Sequence, residues 1–367
     1  MILRCKNAFC QQSAPPVCGE KMLHCAHESL SFFMIHLAIN GFGRIGRNAL
    51  RAGFERGALK FVAINDLTDP SILAHLLKYD SVYRTWNHEV SADAKHLIVD
   101  GQKIPVFAQK DPSTLPWKDL GVDVVIESTG FFTKEAEAQK HIQAGAKKVI
   151  ISAPSKDAPT FLMGVNHKAY KKSQRIINNG SCTTNSIAPV AQILEEAYGI
   201  RKAMLTTVHS VTNGQNVVDG VPGGRKPDLR RARSALTNMI PTSTGAAIAV
   251  TEAIPSLKGK FDGLAIRVPT LDVSLSDGTF LLKKKTTVEE LQKLFRAAAH
   301  SARWKKVLGV TDEPLVSSDF IQTHLAAVVD LEMIRVVDGD LVKIFAWYDN
   351  EWGYTEMLLD MVEHVGK

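Results

Sequence analysis

A single cysteine in a stretch of small polar residues is the strongest candidate for chemistry in this chain. Cys182 lies in the sequence NGSCTTN (179–185), after the apolar run 175–177 and before a predicted helix over 186–198. Near a helix N-terminus, unpaired backbone N–H groups and the helix dipole favour a thiolate over a thiol. We therefore predict a depressed pKa for Cys182, helped by a protonated His209 on the next apolar strand, and nucleophilic attack on carbonyl carbon.

The same residues also allow a plainer interpretation. A lone cysteine is more often an inert core side chain, and His209 could be a satisfied histidine on a buried strand. The polar neighbours of Cys182 are poor partners for a buried sulfur but good donors toward an anion. Arg267 within an apolar strand also needs a partner. The run 242–244 could simply cap the predicted helix 245–253, a role compatible with holding phosphate.

A dinucleotide site is predicted near the start of the chain. The apolar strand 35–39 runs into NGFGRIG (40–46), which a predicted helix follows. A G-x-G-x-x-G in this position gives a tight turn, backbone approach to a pyrophosphate, and close helix packing. Asp66 follows a second apolar strand, 61–64, about twenty residues after Gly46, where a carboxylate can accept hydrogen bonds from a ribose. Its alternative role is that of a strand-end or capping residue.

The remaining pattern predicts two domains of an α/β protein. Residues 34–181 alternate strands and helices, which indicates a doubly wound, mainly parallel Rossmann sheet. Its further predicted elements are the helices 69–78 and 134–144, the hairpin strands 97–99 and 104–106, and the strands 122–126 and 148–152. Residues 182–348 predict an α+β catalytic domain with a mixed or antiparallel sheet, with strands 204–211, 264–268, 271–275, 326–331 and 342–348 and a helix 288–299. Residues 349–367, with a helix over 354–364, are predicted to pack back on the first domain.

Composition excludes several classes of protein. The 367 residues are 45% hydrophobic and 22% charged, with a net charge of +6. Those values are typical of a soluble globular protein and not of a disordered or fibrous one. No apolar run approaches the length of about 18 residues that a membrane span needs. Because no Lys/Arg stripe is interleaved with aromatics, nucleic acid is not an expected partner.

The first 33 residues differ from the rest. They contain Cys5, Cys10, Cys18 and Cys25, whereas Cys182 is the one cysteine of the remaining sequence. So sparse a cysteine content predicts a reducing, cytoplasmic compartment. Residues 1–33 show no periodicity, no signal-peptide pattern and no zinc-ligand spacing, so we expect a loose extension and no metal site. We also expect its deletion to leave folding and activity nearly unchanged.

An ordered set of motifs resembles the phosphorylating glyceraldehyde-3-phosphate dehydrogenase family. After the dinucleotide pattern come SCTTN (181–185), TVHS (207–210), PTSTGAA (241–247), RVPT (267–270) and WYDNEWGY (347–354). The match extends over residues 35–366. It implies NAD-dependent oxidation of glyceraldehyde 3-phosphate with inorganic phosphate in glycolysis and gluconeogenesis, and a homotetramer.

The resemblance also assigns roles to residues. Cys182 is implied as the nucleophile and His209 as the base that activates it. NAD contacts are implied for Asn40, Gly41, Gly43, Arg44, Ile45, Gly46, Asp66, Thr129, Ser152, Asn350 and Tyr354. It also implies two anion pockets. One pocket binds the substrate phosphate through Thr212 and Arg267. The other binds inorganic phosphate through Ser181, Thr183, Thr244 and Gly245, and Arg231 is a further implied phosphate-binding residue. Because Asp66 would repel a 2′-phosphate, NAD is predicted over NADP.

Alternatives and departures from the family pattern remain. An erythrose-4-phosphate dehydrogenase, a semialdehyde dehydrogenase, and a catalytically dead nucleotide-binding regulatory or adhesion protein are the competing hypotheses. The intact STGAA segment disfavours the erythrose-4-phosphate dehydrogenase, and the DNEWGY ending disfavours the semialdehyde dehydrogenase. The presence of both Cys182 and His209 disfavours the catalytically dead protein. The loop 213–227 is longer than usual in the family, and YRTW (83–86) replaces its common His-Gly pattern.

Overall fold

The computed structural model describes residues 34–221 and 228–367. The predictions for the extension 1–33, including its candidate zinc ligands, and for the part of the long loop at 222–227 lie outside the described residues. From residue 34 onward the described chain belongs to one compact unit. The division into domains at 181/182 and 348/349 stays a prediction.

Helices and strands fill most of the described chain. The α-helices there are α1 (Arg44–Gly53), α2 (Pro70–Lys78), α3 (Glu135–Gln143), α4 (Cys182–Ala197), α5 (Ala246–Ala253), α6 (Val288–His300) and α7 (Trp352–Val365). Short 3-10 helices cover Pro112–Thr114, His167–Ala169, Leu229–Ala232, Pro255–Leu257 and Ser317–Phe320. No helix in the described ranges has the length and apolarity required to cross a membrane.

The strands number from β1 to β17 in chain order. They are β1 (Ile35–Asn40), β2 (Leu59–Asn65), β3 (Tyr79–Asp80), β4 (Arg84–Thr85), β5 (Val90–Ala92), β6 (His96–Val99), β7 (Gln102–Phe107), β8 (Val124–Glu127), β9 (Lys148–Ile151), β10 (Ile176–Asn178), β11 (Ile200–Ser210), β12 (Ile240–Ser243), β13 (Phe261–Val268), β14 (Ser274–Leu282), β15 (Leu308–Thr311), β16 (Ala327–Val337) and β17 (Leu341–Tyr348).

The first sheet has the order β10-β9-β8-β1-β2-β7-β6-β5. Its central strands pair in parallel, and only β5, β6 and β7 pair with one another in antiparallel fashion. The predicted hairpin between β6 and β7 is confirmed. Its turn has positive φ angles at Asp100 (46°) and Gly101 (80°), which a two-residue hairpin turn of this type requires. The predicted Rossmann architecture is confirmed.

The second sheet has the order β12-β13-β11-β14-β17-β16-β15 and mixes parallel and antiparallel pairs. Apolar side chains of α4, α5 and α6 pack on one of its faces, among them Val190, Val250 and Phe295. The predicted strand over 271–275 starts too early. Val273 has a φ of 64°, in the left-handed region, and β14 begins after it at Ser274.

Two helices differ at their starts from the prediction, and both differences concern the site. Helix α4 begins at Cys182 and not at Ser186, because Ser181 and Thr184 form a capping box that starts the helix early. Helix α7 begins at Trp352 and not at Tyr354. The apolar face of α7 joins the core of the first sheet, where Leu358, Leu359 and Val362 belong to the same buried cluster as Ile35 and Leu37.

Candidate active site

Cys182 is the first residue of α4 and lies beside His209, which is near the end of β11. The Cys182 Sγ is 3.4 Å from His209 Nε2. Ser181 accepts a hydrogen bond from the Thr184 backbone N–H at 3.1 Å, so the cysteine is placed in the first helical turn. Gly180, with a φ of 63°, makes the turn that aims the sulfur out of the helix end. The structure therefore brings the predicted nucleophile and base together.

The predicted protonation states of this pair are corrected by the structure. Burial raises the pKa of the Cys182 thiol above its ordinary value, and the nearby Arg267 cation opposes that rise only in part. Burial, and then the positive charge of Arg267, lower the pKa of His209 to about 3. The expectation of a depressed thiol pKa next to a protonated imidazole was therefore wrong.

Arg267 reaches the far side of the imidazole. Strands β11 and β13 pair in a register that places His209 directly opposite Arg267. The Arg267 Nη1 lies 2.7 Å from His209 Nδ1 and donates to the Ser210 carbonyl at 2.9 Å. That carbonyl is also 2.7 Å from Nδ1. Nδ1 can therefore accept from Arg267 or donate to the Ser210 carbonyl, depending on the tautomer. The tautomer with the proton on Nδ1 leaves Nε2 with a lone pair facing the sulfur, which is what a base needs.

The glycine loop before α1 has the shape of a dinucleotide site. A Cβ at Gly41 would lie 2.6 Å from the Thr129 nitrogen, and one at Gly46 would lie 2.3 Å from the Gly41 carbonyl oxygen. A Cβ at Gly43 would meet nothing within 4 Å. Gly43 caps α1 without a side-chain hydrogen bond, so the first-turn N–H groups of Arg44 and Ile45 remain available to a pyrophosphate.

A buried hydrogen-bond network fixes the strand ends around this loop. Glu127 at the end of β8 accepts from the Asn40 side chain at 2.5 Å and from the Thr129 backbone at 2.9 Å. Asp66 is half-exposed after β2, and its carboxylate accepts from the Phe42 backbone N–H at 2.7 Å. Asp66 thus braces the loop while keeping oxygen lone pairs for a ribose. Residues Asn40, Thr129 and Asp66 lie together at the carboxyl edge of the sheet, where dinucleotides bind in this fold.

Other predicted cofactor residues have partners of their own. The Arg44 guanidinium pairs with both Asp80 and Glu351, so its side chain joins α1 to the turn before α7. Asn350 in that turn is oriented by two hydroxyls, those of Ser210 and Ser274, which donate to its side-chain oxygen at 2.8 and 2.7 Å. That orientation leaves the amide N–H groups of Asn350 for a ligand.

Two further predicted cofactor residues lie at the boundary of the two sheets. Tyr354 on α7 is buried and donates to the Gly180 carbonyl at 3.2 Å, next to the cysteine turn. Ser152, after β9, donates to the Glu127 carbonyl at 3.1 Å.

The predicted anion-binding residues differ in their surroundings. Thr183 is buried, and its hydroxyl is 2.9 Å from that of Tyr348. Arg231 donates to Thr242 at 3.0 Å and is thereby held near the 242–247 segment. The half-buried or exposed residues are Ser181, Thr212, Thr244 and Gly245. The Arg267 Nε is buried and has no partner among the described residues, which is the state expected of a donor that awaits an anion.

The sequence interpretation missed several residues that shape the site. Tyr348 is buried between the hydroxyls of Thr183 and Thr207, at 2.9 and 2.8 Å, and its ring meets the His209 ring edge to face. Its position at the end of an apolar strand, just before DNEWGY, was the available signal. The available signal for Glu127 was a carboxylate directly after the predicted apolar strand 122–126. No cluster of candidate metal ligands occurs within 34–221 and 228–367.

The fold and the site together define a nicotinamide-dependent oxidoreductase. Comparison with known proteins gives the particular family. The chain matches "Glyceraldehyde 3-phosphate dehydrogenase, NAD binding domain" over residues 35–135 and "Glyceraldehyde 3-phosphate dehydrogenase, C-terminal domain" over residues 181–350. The chain belongs to the glyceraldehyde-3-phosphate dehydrogenase family, and its cofactor is NAD.

Individual relatives agree with this assignment. The chain is 49% identical over 334 residues to glyceraldehyde-3-phosphate dehydrogenase 1 of Bacillus cereus, covering 90% of this chain and 98% of that one. It is 48% identical over 333 residues to the enzyme of Geobacillus stearothermophilus, with 90% and 98% covered. It is 47% identical over 335 residues to glyceraldehyde-3-phosphate dehydrogenase 2 of Saccharomyces cerevisiae, with 91% and 100% covered.

Proposed function

We propose that this protein oxidises D-glyceraldehyde 3-phosphate and transfers the resulting acyl group to inorganic phosphate, as an enzyme of glycolysis and gluconeogenesis. The observation that supports this most is the Cys182 Sγ to His209 Nε2 distance of 3.4 Å, with the Arg267 cation on the other side of the imidazole. A sulfur nucleophile, a base and an anion-binding cation are the three groups that the reaction of a phosphorylated aldehyde requires.

His209 acts twice in the proposed reaction. Its Nε2 takes the thiol proton as the Cys182 sulfur adds to the aldehyde carbon, and then gives that proton to the carbonyl oxygen, which becomes a hydroxyl. When hydride leaves that carbon, His209 takes the hydroxyl proton and a thioester remains on the sulfur. NAD, when bound, would supply the acceptor for that hydride. General-base help of this kind accelerates a step by roughly 10²- to 10⁴-fold.

Substrate binding makes His209 a better base in this scheme. The structure has a cation, Arg267, against Nδ1, and that cation lowers the pKa of the imidazole. A bound phosphate that pairs with Arg267 offsets the positive charge and raises the pKa of His209 toward its ordinary value. The base is thus strengthened when the substrate is in place. Thr212, on the loop after β11, is the proposed second contact of the same phosphate.

Phosphate completes the reaction. Inorganic phosphate attacks the thioester carbon, the bond to the Cys182 sulfur breaks, and the acyl phosphate leaves. The proposed phosphate residues are Ser181, Thr183, Arg231, Thr244 and Gly245, which supply hydroxyls, a guanidinium and a backbone N–H. Such donors suit an anion that has lost its water. Gly245 is the N-cap of α5 and Thr244 precedes it, so the helix N-terminus adds to the attraction.

An assay of NAD reduction tests the proposal. Glyceraldehyde 3-phosphate and erythrose 4-phosphate are each supplied with and without inorganic phosphate. We expect sustained turnover with glyceraldehyde 3-phosphate only when phosphate is present. Preference for erythrose 4-phosphate without dependence on phosphate would favour the other aldose-phosphate dehydrogenase. No reduction with either substrate, despite NAD binding, would favour the catalytically dead regulatory or adhesion protein.

Assembly and location complete the proposal. A homotetramer is supported by apolar side chains on the outer face of the second sheet and the segments beside it, where Met204 is 57%, Met239 is 76% and Leu229 is 78% exposed. Surface of this kind marks protein interfaces. Light scattering at micromolar concentration tests it, and a monomeric mass with full activity would contradict it. The proposed location is the cytoplasm, because Cys182 is the one cysteine in residues 34–367.

A further inference from the structure

Tyr83 belongs to the YRTW segment, which replaces the usual family pattern and had no functional explanation. The side chain is buried, and its hydroxyl is 2.9 Å from Asp272 Oδ2 and 2.8 Å from Asp349 Oδ1. Arg84, which follows it, has a φ of 62°, a conformation that costs a non-glycine residue energy.

The hydrogen bonds among Tyr83, Asp272 and Asp349 indicate how many protons these three side chains share. Asp349 accepts three backbone N–H groups, from Gln322 at 2.7 Å, Glu351 at 2.9 Å and Trp352 at 2.6 Å. Backbone donors thus reach both of its oxygens, and Asp349 acts as an acceptor toward the Tyr83 phenol as well. The phenol has one proton and donates it to only one of its two acidic partners. The other, Asp272, must therefore bring a proton of its own to its contact with the Tyr83 oxygen.

The surroundings of Asp272 agree with this count. It is 6% exposed, and its second oxygen, Oδ1, is buried without a partner among the described residues. Burial, followed by the charges of Asp349 and Glu351, raises the pKa of Asp272 to about 9. The Arg44 guanidinium is 5.7 Å from the centre of the Tyr83 ring and is already paired with Asp80 and Glu351.

We propose that Asp272, Tyr83 and Asp349 form a proton-sharing clamp that holds the turn before α7 in the shape required for NAD binding. The turn contains Asn350 and Glu351, directly after Asp349. The clamp ties this turn to the β3–β4 hairpin through Tyr83 and to the loop before β14 through Asp272. Tyr83 is accordingly a positioning residue. The proposal rests on the proposed role of Asn350 at the nicotinamide.

Loss of the Asp272 proton opens the clamp. Asp272 would then face the anion Asp349 across a phenol that can satisfy one of them. A buried pair of like charges repels, and the turn loses its fixed position. We therefore expect NAD affinity to fall as the pH rises through about 9, with no such fall when residue 272 cannot ionise.

The experiment compares Asp272→Asn, which imitates the protonated acid, with the parent protein. NAD dissociation constants are measured by calorimetry from pH 7 to 9.5, and circular dichroism at each pH reports whether the protein is folded. The parent should lose NAD affinity at the alkaline end, and Asp272→Asn should keep it. A parallel fall in both proteins, or none in the parent, would overturn the proposal. Cys182 is present in both proteins, so the comparison isolates Asp272.

A second variant tests the phenol directly. Tyr83→Phe should weaken NAD binding at pH 7.5 by about fivefold or more, the low end for leaving a buried polar group unpaired. Tyr79→Phe is the matched control, because Tyr79 lies in the same segment and is 53% exposed. Equal affinities in all three proteins would refute the clamp. If the parent itself bound no NAD, the proposed function would fail, but the clamp could still be tested in the free protein. The Trp352 indole is 5.1 Å from the Tyr83 ring, so the pH dependence of Trp352 fluorescence would report on the clamp.

Discussion

Replacing Arg267 by methionine should raise the pKa of His209. The parent imidazole has a pKa of about 3, with burial as the larger cause and the Arg267 charge as the second. Two unit charges about 4 Å apart interact by about 4 kcal/mol at an effective dielectric constant of about 20. Since one pKa unit corresponds to about 1.36 kcal/mol, that is about three units as an upper limit. Arg267 is partly exposed, so we expect a rise of about one to two units after screening.

The assay is NMR of ¹³Cε1-labelled histidine from pH 5 to 8, with His209→Asn to assign the signal. The parent signal should stay at its neutral position throughout, and in Arg267→Met it should begin to shift at the acidic end. Arg231→Met is the matched control, because the Arg231 charge is the smaller of the two that act on His209. Equal shifts in the two variants, or none in Arg267→Met, would refute the assigned cause.

The same substitution, Arg267→Met, should also change the reactivity of Cys182. The Arg267 charge favours the Cys182 thiolate, so its removal should raise the pKa of the thiol as well. Alkylation of Cys182 depends on the thiolate and should become slower at pH 8 in Arg267→Met. Faster alkylation would show that the cation is not acting on the sulfur.

Three further outcomes follow from the cofactor loop. Gly43→Ala should leave the melting temperature nearly unchanged and weaken NAD binding at least tenfold, because its Cβ enters open space where the pyrophosphate approaches. Gly46→Ala should lower the melting temperature, since its Cβ would lie 2.3 Å from the Gly41 oxygen. Asp66→Ser should narrow the preference for NAD over NADP, as measured by the ratio of kcat/KM values; an unchanged ratio would mean that the Asp66 carboxylate does not select the cofactor.

Local sequence patterns predicted much of the first sheet and the position of its glycine loop. The glycine loop and the hairpin at Asp100 depend on residues that are adjacent in the chain, and the apolar runs marked most strands. Strands β12 and β15 were missed because they are the outermost strands of the second sheet, where Pro241 and Gly309 interrupt the pattern. The start of α4 was missed because its polar first turn resembles a loop. In the structure the polar side chains of that turn bond to the backbone, as Asn185 does by donating to the Asn179 and Ser181 carbonyls.

The electrostatics could not be predicted in the same way. The pKa values of Cys182 and His209 depend on burial and on Arg267, which the pairing of β11 with β13 brings to the imidazole. A helix N-terminus is visible in the sequence, whereas the cation across the sheet is not. The pair of Arg44 with Glu351 likewise joins opposite ends of the described chain. Long-range contacts of this kind decide protonation and orientation, so those features required the structure.

The covalent role of Cys182 is tested most directly by a single turnover without phosphate. The protein is mixed rapidly with NAD and glyceraldehyde 3-phosphate, NADH absorbance is followed, and the quenched protein is examined by mass spectrometry. We predict a burst of one NADH per subunit and an acyl adduct on Cys182, with neither in Cys182→Ser, although that variant still binds NAD. An equal burst in Cys182→Ser, or a parent burst without an adduct on Cys182, would contradict the mechanism.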